Sequence, residues 1–267
     1  IFFGGRYNFS PNTTLEIKSP LLHTYFNTVE GVNVNLVTKI KHDFDSLRKS
    51  FHFMPVVRYG FSSEDLYAFG QLSYQSKKER RTSSITLEGG KFVDQYSDKQ
   101  PIHPHINTLS TLLFRRNYMK LYEKTFLKAQ VSHKPSDWWK LEGGLEFAER
   151  NTLYNQNNYS FFYEDSREFK SNQPYNIELL DTGFPKHEAL LFNLSLSYWP
   201  IKGYNIYNGR KYPLLSNSPK LMLKYKKGIH GVLGSDVDFD HIELGVDHQF
   251  NFGVSGKLQF ELRGGTF

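Results

Sequence analysis

Alternation of apolar and polar residues with a period of two recurs along most of this chain and constrains its fold more than any other feature. Near residue 190, for example, Leu190, Phe192 and Leu194 alternate with Asn193 and Ser195. Successive side chains of a strand point to opposite faces, so the pattern predicts strands with one apolar and one polar face. Many of these strands are roughly 12 to 16 residues long, whereas strands of soluble domains typically have about 5 to 6 residues.

The alternation and the turn signals between its segments predict about eleven strands. They lie near residues 2–9, 31–42, 47–60, 66–77, 82–93, 117–133, 138–149, 187–200, 219–228, 240–252 and 256–266.

Composition narrows the class of protein to which such strands belong. The 267 residues include 23 Phe, 17 Tyr and 3 Trp, yet the mean hydropathy of the chain is negative. A transmembrane strand turns apolar residues toward lipid and polar residues toward a wet lumen, which reconciles these two observations. We therefore predict an all-β fold, an antiparallel transmembrane β-barrel of the outer-membrane type with about 12 strands. A large soluble β-sandwich or a lipocalin-like barrel is the alternative, because alternation alone does not distinguish lipid from a protein core.

Three other classes are excluded or not supported by composition. The chain has no Cys, which excludes a disulfide scaffold. Its longest charge-free apolar stretch, at 189–201, falls short of the roughly 20 residues of a spanning helix. The net charge of +6 is spread along the chain and does not indicate a nucleic-acid partner.

The aromatic residues gather at predicted strand ends, beside polar turns. This placement is typical of the aromatic girdles that lie at the two membrane interfaces of a barrel. The predicted interface residues are Tyr59, Phe61, Tyr67, Phe69, Trp138, Trp139, Tyr198, Trp199, Phe250 and Phe252.

The connections between the strands alternate between short and long, as outer-membrane barrels alternate periplasmic turns with extracellular loops. Two connections fit this rule poorly, since 62–65 is short where a loop is expected and 201–218 is long where a turn is expected. We assign residues 1–267 to a single domain. An odd strand count, a mid-strand start and a last strand that runs outward predict that the chain is part of a longer barrel. The alternative takes Phe267 as the terminal aromatic of a barrel-insertion signal.

Several stretches resemble an outer-membrane family of Bacteroidota whose members carry an N-terminal carboxypeptidase-regulatory-like domain followed by a C-terminal barrel of unknown function. These stretches lie at 27–31, 58–61, 117–122, 149–155 and 219–229, and the first of them, Asn-Thr-Val-Glu-Gly, is the most specific. The resemblance covers most of the chain. It implies a barrel fold in a Gram-negative outer membrane, and it brings no catalytic residues with it.

One acidic segment suggests a metal site. Asp236, Asp238 and Asp240 follow the i, i+2, i+4 spacing of a calcium loop. The EF-hand pattern then requires Gly, where this chain has His241, and Glu at position twelve, where it has Asp247. A solvated acidic loop at a barrel rim is therefore the favoured interpretation, and no cofactor is predicted.

Other polar motifs have a functional and a structural interpretation. His103 and His105 flank Pro104 and would aim two imidazoles at one metal, but the sequence identifies no third ligand. Ser132-His133 lacks the surroundings of a catalytic nucleophile. A charged turn at 77–81 either binds lipid phosphates or keeps a barrel end in water, and we favour the second. The segment 107–114 breaks the two-residue period and predicts one or two helical turns over the barrel mouth, capped by Asn107 or Thr108.

These features together predict a non-catalytic component of a cell-envelope complex for the assembly or transport of outer-membrane proteins. Its expected partners are outer-membrane lipid and other envelope proteins. A stand-alone transporter or porin-like channel is one alternative, and an outer-membrane enzyme acting on lipid is another.

Overall fold

One antiparallel sheet of thirteen strands dominates the computed structural model of the chain. The structure describes residues 2–44, 48–78, 80–97, 102–174, 186–200, 203–213 and 218–267. The strands of the sheet are β1 (Gly5–Ser10), β2 (Thr13–Ile17), β3 (Thr24–Asn27), β4 (Gly31–Phe44), β5 (Lys49–Gly60), β6 (Leu66–Lys78), β7 (Arg81–Gln95), β8 (Leu121–Lys134), β9 (Trp139–Thr152), β10 (His187–Tyr198), β13 (Lys220–Gly228), β14 (Phe239–Asn251) and β15 (Lys257–Thr266). The remaining elements are a separate hairpin of β11 (Tyr204–Tyr207) and β12 (Arg210–Pro213) and the helix α1 (Pro104–Phe114).

The sheet is a meander in which successive strands are neighbours. β2 and β3 lie end to end beside β4, pairing with its second and its first half respectively. Among the described residues, β1 pairs only with β2 and β15 only with β14, so the sheet is open at these two edges. The prediction of an all-β antiparallel fold with about 12 strands is confirmed, and in the described part of the chain these strands do not close into a complete ring.

Two ends of the sheet are distinguished by their connections. The turn end carries the short connections after β4, β6, β8 and β14, together with the β11–β12 hairpin. The loop end carries the long connections after β7, β9 and β13, together with the connection between β5 and β6.

The burial of the sheet is inverted relative to a soluble sheet. On β4, Val32 and Leu36 are exposed, while Asn33 and Asn35 beside them are buried. A half-covered sheet in water instead buries its apolar face and exposes its polar one. Arg58 of β5 and Lys226 of β13 line the same cavity, so the sheet curls with its polar face inside.

Charged residues on the concave face pair across neighbouring strands. Representative ion pairs join β8 to β9, β13 to β14 and β14 to β15 at nitrogen–oxygen distances of 2.8, 2.9 and 2.9 Å: Lys124–Glu146, Lys224–Glu243 and Arg263–Asp247. A ring-rich chain thereby remains polar on average, because every second residue of a strand belongs to this face.

The convex face forms an apolar band. Outward apolar residues lie opposite each other on neighbouring strands, as Leu72 does to Leu87 and Leu223 to Leu244. Along β9 the outward residues are apolar or Gly between Trp139 and Phe147, and Glu149 then follows toward the loop end. At about 3.3 Å per residue this segment is about 26 Å long. A strand tilt of about 40° reduces its height to about 20 Å, which is comparable to the apolar band of about 25 Å in outer-membrane barrels.

Four short strands were not predicted from the sequence: β2, β3, β11 and β12. The connection at 201–218, which is longer than the turn expected there, contains the β11–β12 hairpin, although residues 201–202 and 214–217 lie outside the described residues. Its tip is Asn208-Gly209, with φ of 48° and 71°, the backbone that a tight hairpin turn requires.

The predicted helix is present as α1, which begins earlier than expected. His103 caps it, since its Nδ1 accepts the amide of His105 at 3.3 Å and Pro104 occupies the first turn. The predicted caps Asn107 and Thr108 are wrong, because both lie inside the helix. In the part of the chain that the structure describes, no helix has the length and hydrophobicity needed to cross a membrane.

Candidate functional site

Helix α1 is fixed over the loop end by one buried asparagine. The Asn107 side chain is fully buried, and its Oδ1 accepts the amides of Tyr118 and Met119 at 3.0 and 2.9 Å. Its Nδ2 donates to Asn117 Oδ1 at 2.8 Å. A second attachment joins the helix to β3, where Thr108 Oγ1 accepts the amide of Phe26 at 2.9 Å. Because buried polar groups require partners, these bonds define one position for the helix.

A turn at 27–30 lies beside the helix and contacts three segments that are distant in the sequence. Asn27 Oδ1 accepts the amides of Val29 and Glu30 at 2.9 and 2.8 Å, a local turn stabilised by its own side chain. Asn117 Nδ2 donates to Thr28 Oγ1 at 2.7 Å, and Thr28 in turn donates to Asn155 Oδ1 at 2.6 Å. We call α1, residues 27–30, Asn117 and Asn155 the loop cap.

The loop cap also contains a buried ion pair. Arg58 Nη2 of β5 donates to Glu30 Oε2, and Asn27 Nδ2 donates to the same oxygen at 2.8 Å. Glu30 is 0% exposed, and neither its Oε1 nor Arg58 Nε has a hydrogen-bond partner. Four of the stretches that carry the family resemblance, at 27–31, 58–61, 117–122 and 149–155, thus meet at this point.

Lys120 lies at the margin of the loop cap, just before β8. Its Nζ donates to the backbone carbonyl of Ser171 at 2.5 Å. Burial, with a smaller contribution from the nearby Lys170 charge, lowers the pKa of Lys120 from its usual value.

A cavity of about 660 Å³, the upper cavity, lies beneath the loop cap and inside the curl of the sheet. Pro104 of α1 and Met119 belong to its lining at the loop end. Basic side chains of the lining stack on aromatic rings, at 5.6, 4.6 and 5.7 Å from the ring centres: Arg58 on Phe92, Lys124 on Phe126 and Arg150 on Tyr122. Such cation–π contacts hold positive charge against apolar surface.

A second cavity of about 860 Å³, the lower cavity, continues toward the turn end. The two cavities share Gln130, Asn193 and Lys226 in their linings. The lower cavity is lined largely by hydroxyl and charged groups, among them Ser84 and Ser132. The interior of the curled sheet is therefore a polar lumen that is covered at its loop end.

The predicted interface aromatics divide into two groups. Tyr67 and Phe69 do not face outward, because Tyr67 is 0% exposed and Phe69 lines the upper cavity. They alternate along β6 with outward residues such as Leu66, so both rings lie on the inward face of the strand. The rings that the structure leaves exposed or half-buried near strand ends are Tyr59, Phe61, Trp138, Trp139, Tyr198, Trp199, Phe250 and Phe252.

Six of these eight predicted rings lie at the turn end. Trp139 and Tyr198 are in contact there, with ring centres 4.3 Å apart and the ring planes tilted by 31°. Tyr59 and Phe61 lie at the loop end, 5.1 Å apart.

The three aspartates of the calcium candidate do not share a common contact. Asp236 Oδ2 accepts the amide of Glu188 at 3.0 Å, whereas Asp240 accepts from Lys227 Nζ at 3.0 Å and from the Tyr225 hydroxyl. Asp238 is exposed. Within the described residues, no three His, Asp or Glu side chains are grouped so that they could hold a metal ion.

The histidine candidates likewise have structural contacts. The His103 and His105 rings stack at 5.4 Å. Ser132 and His133 point to opposite faces of β8, and His133 Nδ1 instead contacts Ser83 Oγ at 2.8 Å on the convex face. The Ser132-His133 dipeptide is therefore not a catalytic pair.

The basic turn at 77–81 packs against the β11–β12 hairpin. Arg80 lies 3.5 Å from Asp137 and 5.4 Å from the Tyr204 ring centre, and it donates to the Lys211 carbonyl at 2.9 Å. Glu79, in the same turn, lies outside the described residues.

Sequence reasoning missed the roles of Asn27, Asn117 and Asn155 in the loop cap and the basic lining of the upper cavity, and it assigned Asn107 to a helix cap. The asparagines carry no periodic signal, because each serves a non-repetitive segment. Asn27, Asn117 and Asn155 lie in stretches that resemble the family, whereas Asn107 does not.

Comparison with known proteins supports that resemblance. The curated proteins include no match to this chain. Residues 1–267 match the C-terminal domain of a family of unknown function, DUF5686. The chain belongs to this family.

Proposed function

We propose that this domain is an integral β-barrel of the outer membrane of a Gram-negative bacterium of the Bacteroidota. It acts there as a non-catalytic component of a cell-envelope complex that assembles or transports outer-membrane proteins. The observation that carries the membrane assignment is the exposed apolar band on the convex face of long antiparallel strands. Soluble monomers rarely expose contiguous apolar patches larger than a few hundred Å², whereas outer-membrane barrels turn such a band toward lipid.

The loop cap supports a structural role at the loop end. Hydrogen bonds among its asparagine and threonine side chains hold α1, residues 27–30 and Asn117 together. Exposed rings near the cap, including Phe161 and Phe162, offer apolar surface to another envelope protein.

A channel is the second candidate function, and the continuity of the two cavities favours it. Their shared lining residues give a polar path from the turn end up to the loop cap. Conductance in a planar bilayer that increases when the loop cap is removed would support the channel, and a lack of conductance in both forms would exclude it.

Affinity purification of the full-length protein from detergent-solubilised membranes tests the proposal. We expect the protein in the outer-membrane fraction, resistant to alkaline carbonate, together with stable outer-membrane partners identified by mass spectrometry. Recovery of soluble protein without detergent would refute the membrane assignment. Purification from membranes without any partner would refute the role in a complex while leaving the membrane assignment intact.

A further inference from the structure

The walls of the upper cavity combine two kinds of surface. Phe69, Phe92 and Phe126 supply aromatic surface, with 4.8 Å between the ring centres of Phe69 and Phe92 and 6.2 Å between those of Phe69 and Phe126. Five basic and three acidic side chains share the lining. The cavity is thus apolar on one side and has an excess of basic groups.

Most of the basic groups near the cavity are neutralised by carboxylates. Arg58 pairs with Glu30, and Lys124 Nζ lies 2.8 Å from Glu146 Oε1. Lys128 is 3.8 Å from Glu88, a looser pair.

Arg150 differs from these residues. No carboxylate of the described residues lies within ion-pair distance of its guanidinium group, which stacks on the Tyr122 ring instead. Its Nε is buried and has no hydrogen-bond partner. A buried donor without a partner costs stability unless a ligand or an ordered water satisfies it.

We propose that the upper cavity binds one small amphipathic anion, whose phosphate or carboxylate group contacts Arg150 and whose apolar body packs against Phe69, Phe92 and Phe126. A guanidinium group presents paired donors that match both oxyanions. The volume of about 660 Å³ falls within the range of about 300–1,000 Å³ for small-molecule sites.

The loop cap determines how such a ligand enters. Pro104 and Met119 cover the upper cavity at the loop end. The lower cavity, which is lined by hydroxyl groups and shares Gln130 and Asn193 with the upper one, leads in from the turn end. We therefore place the entrance at the turn end. The proposal does not depend on the envelope-complex role, so either can fail alone.

Calorimetric titration of the full-length protein in a non-ionic maltoside detergent tests the proposal, with 2-naphthyl phosphate as the probe. We expect saturable binding that Arg150→Gln weakens at least about tenfold, which corresponds to about 1.4 kcal/mol. Arg150→Lys keeps the charge but loses the paired donors, and we expect an intermediate loss. Arg81→Gln, an exposed arginine of β7, is the matched control and should bind within twofold of the unaltered protein.

Further probes separate the parts of the ligand. Uncharged 2-methoxynaphthalene and inorganic phosphate should each bind at least about tenfold more weakly than 2-naphthyl phosphate. Decyl phosphate carries the same headgroup on an acyl-like chain, so the tighter of the two organic phosphates distinguishes a lipid-derived anion from an aromatic one.

Absence of saturable binding of both organic phosphates would overturn the proposal. Equal binding of 2-methoxynaphthalene would overturn it too, as would unchanged affinity in Arg150→Gln. Far-ultraviolet circular dichroism checks that each variant is folded. If Arg150→Gln does not fold, Arg150→Lys still decides the outcome, because undiminished affinity in that variant would exclude recognition by the paired donors.

Discussion

The orientation of the apolar band gives the sharpest prediction, because a charge placed on it destabilises the protein strongly if the band faces lipid and hardly at all if it faces water. Leu145 of β9 points outward two residues from Gly143, the middle of the band, is 47% exposed, and lies between Ala129 of β8 and Phe192 of β10. Arginine at a half-exposed surface position in water changes the free energy of unfolding by about 0.5 kcal/mol or less. Arginine facing lipid near the bilayer midplane costs about 2–4 kcal/mol.

We therefore expect Leu145→Arg to lower the free energy of unfolding by about 2–4 kcal/mol, or roughly 30- to 800-fold in the folding equilibrium. The matched control is Leu109→Arg on α1, because Leu109 is 58% exposed but belongs to the loop cap, outside the band. Its expected change is about 0.5 kcal/mol or less.

Both variants are folded into phosphatidylcholine vesicles and unfolded with guanidinium chloride, and the unfolding is followed by tryptophan fluorescence. A Leu145→Arg protein as stable as Leu109→Arg would place the convex face in water, and the membrane assignment would then be wrong.

Three further predictions concern the loop cap and the residues at its margin. Arg58→Gln should destabilise the protein by about 3–5 kcal/mol in denaturant unfolding, because it leaves the Glu30 carboxylate buried without its cation; a cost below about 1 kcal/mol would mean that the pair is hydrated. Asn107→Ala removes three hydrogen bonds and should speed amide hydrogen exchange in α1 without changing exchange in β14; uniform acceleration would contradict a local role. The pKa of Lys120 is lower in the folded than in the unfolded protein, so folding disfavours its charged form. The resulting loss of stability is complete below the folded-state pKa, and it is relieved as the pH rises from that pKa toward the unfolded-state pKa. The guanidinium midpoint of the unaltered protein should therefore rise toward alkaline pH relative to that of Lys120→Met, and parallel pH profiles would contradict this.

The sequence predicted the sheet well because the period of two survives in every long strand. Each of the eleven predicted strands has a counterpart, and the two faces of β4 and β9 follow their alternation. The predicted strand boundaries are wrong where side chains form hydrogen bonds with backbone amides. The strand predicted from residue 117 begins at Leu121, since the amides of Tyr118 and Met119 bond to Asn107 instead of a neighbouring strand.

Short strands and the loop cap could not be predicted, for a different reason. β2 and β3 are too short to establish a period, and they are strands only because β4 offers them a partner. The contacts of Asn117 and Asn155 with Thr28 join residues that are far apart in the chain, and no local pattern encodes them. The alternation of β6, in which Leu66 points outward, encodes the inward direction of Tyr67 and Phe69, whereas proximity to a turn alone predicts an interface position for them.

The hydrogen bonds of the loop cap also order the events of folding. Neighbouring strands of the meander are joined by connections that close in sequence, whereas the cap unites residues far apart: Phe26 with Thr108 across 82 positions, Asn117 with Thr28 across 89, and Thr28 with Asn155 across 127. Closing such long loops is entropically costly before the intervening strands have paired. The cap therefore forms after β9 is in place, and until then the loop end of the lumen stays uncovered. Acquisition of protease resistance at α1 would in that case report that the central half of the sheet has been completed.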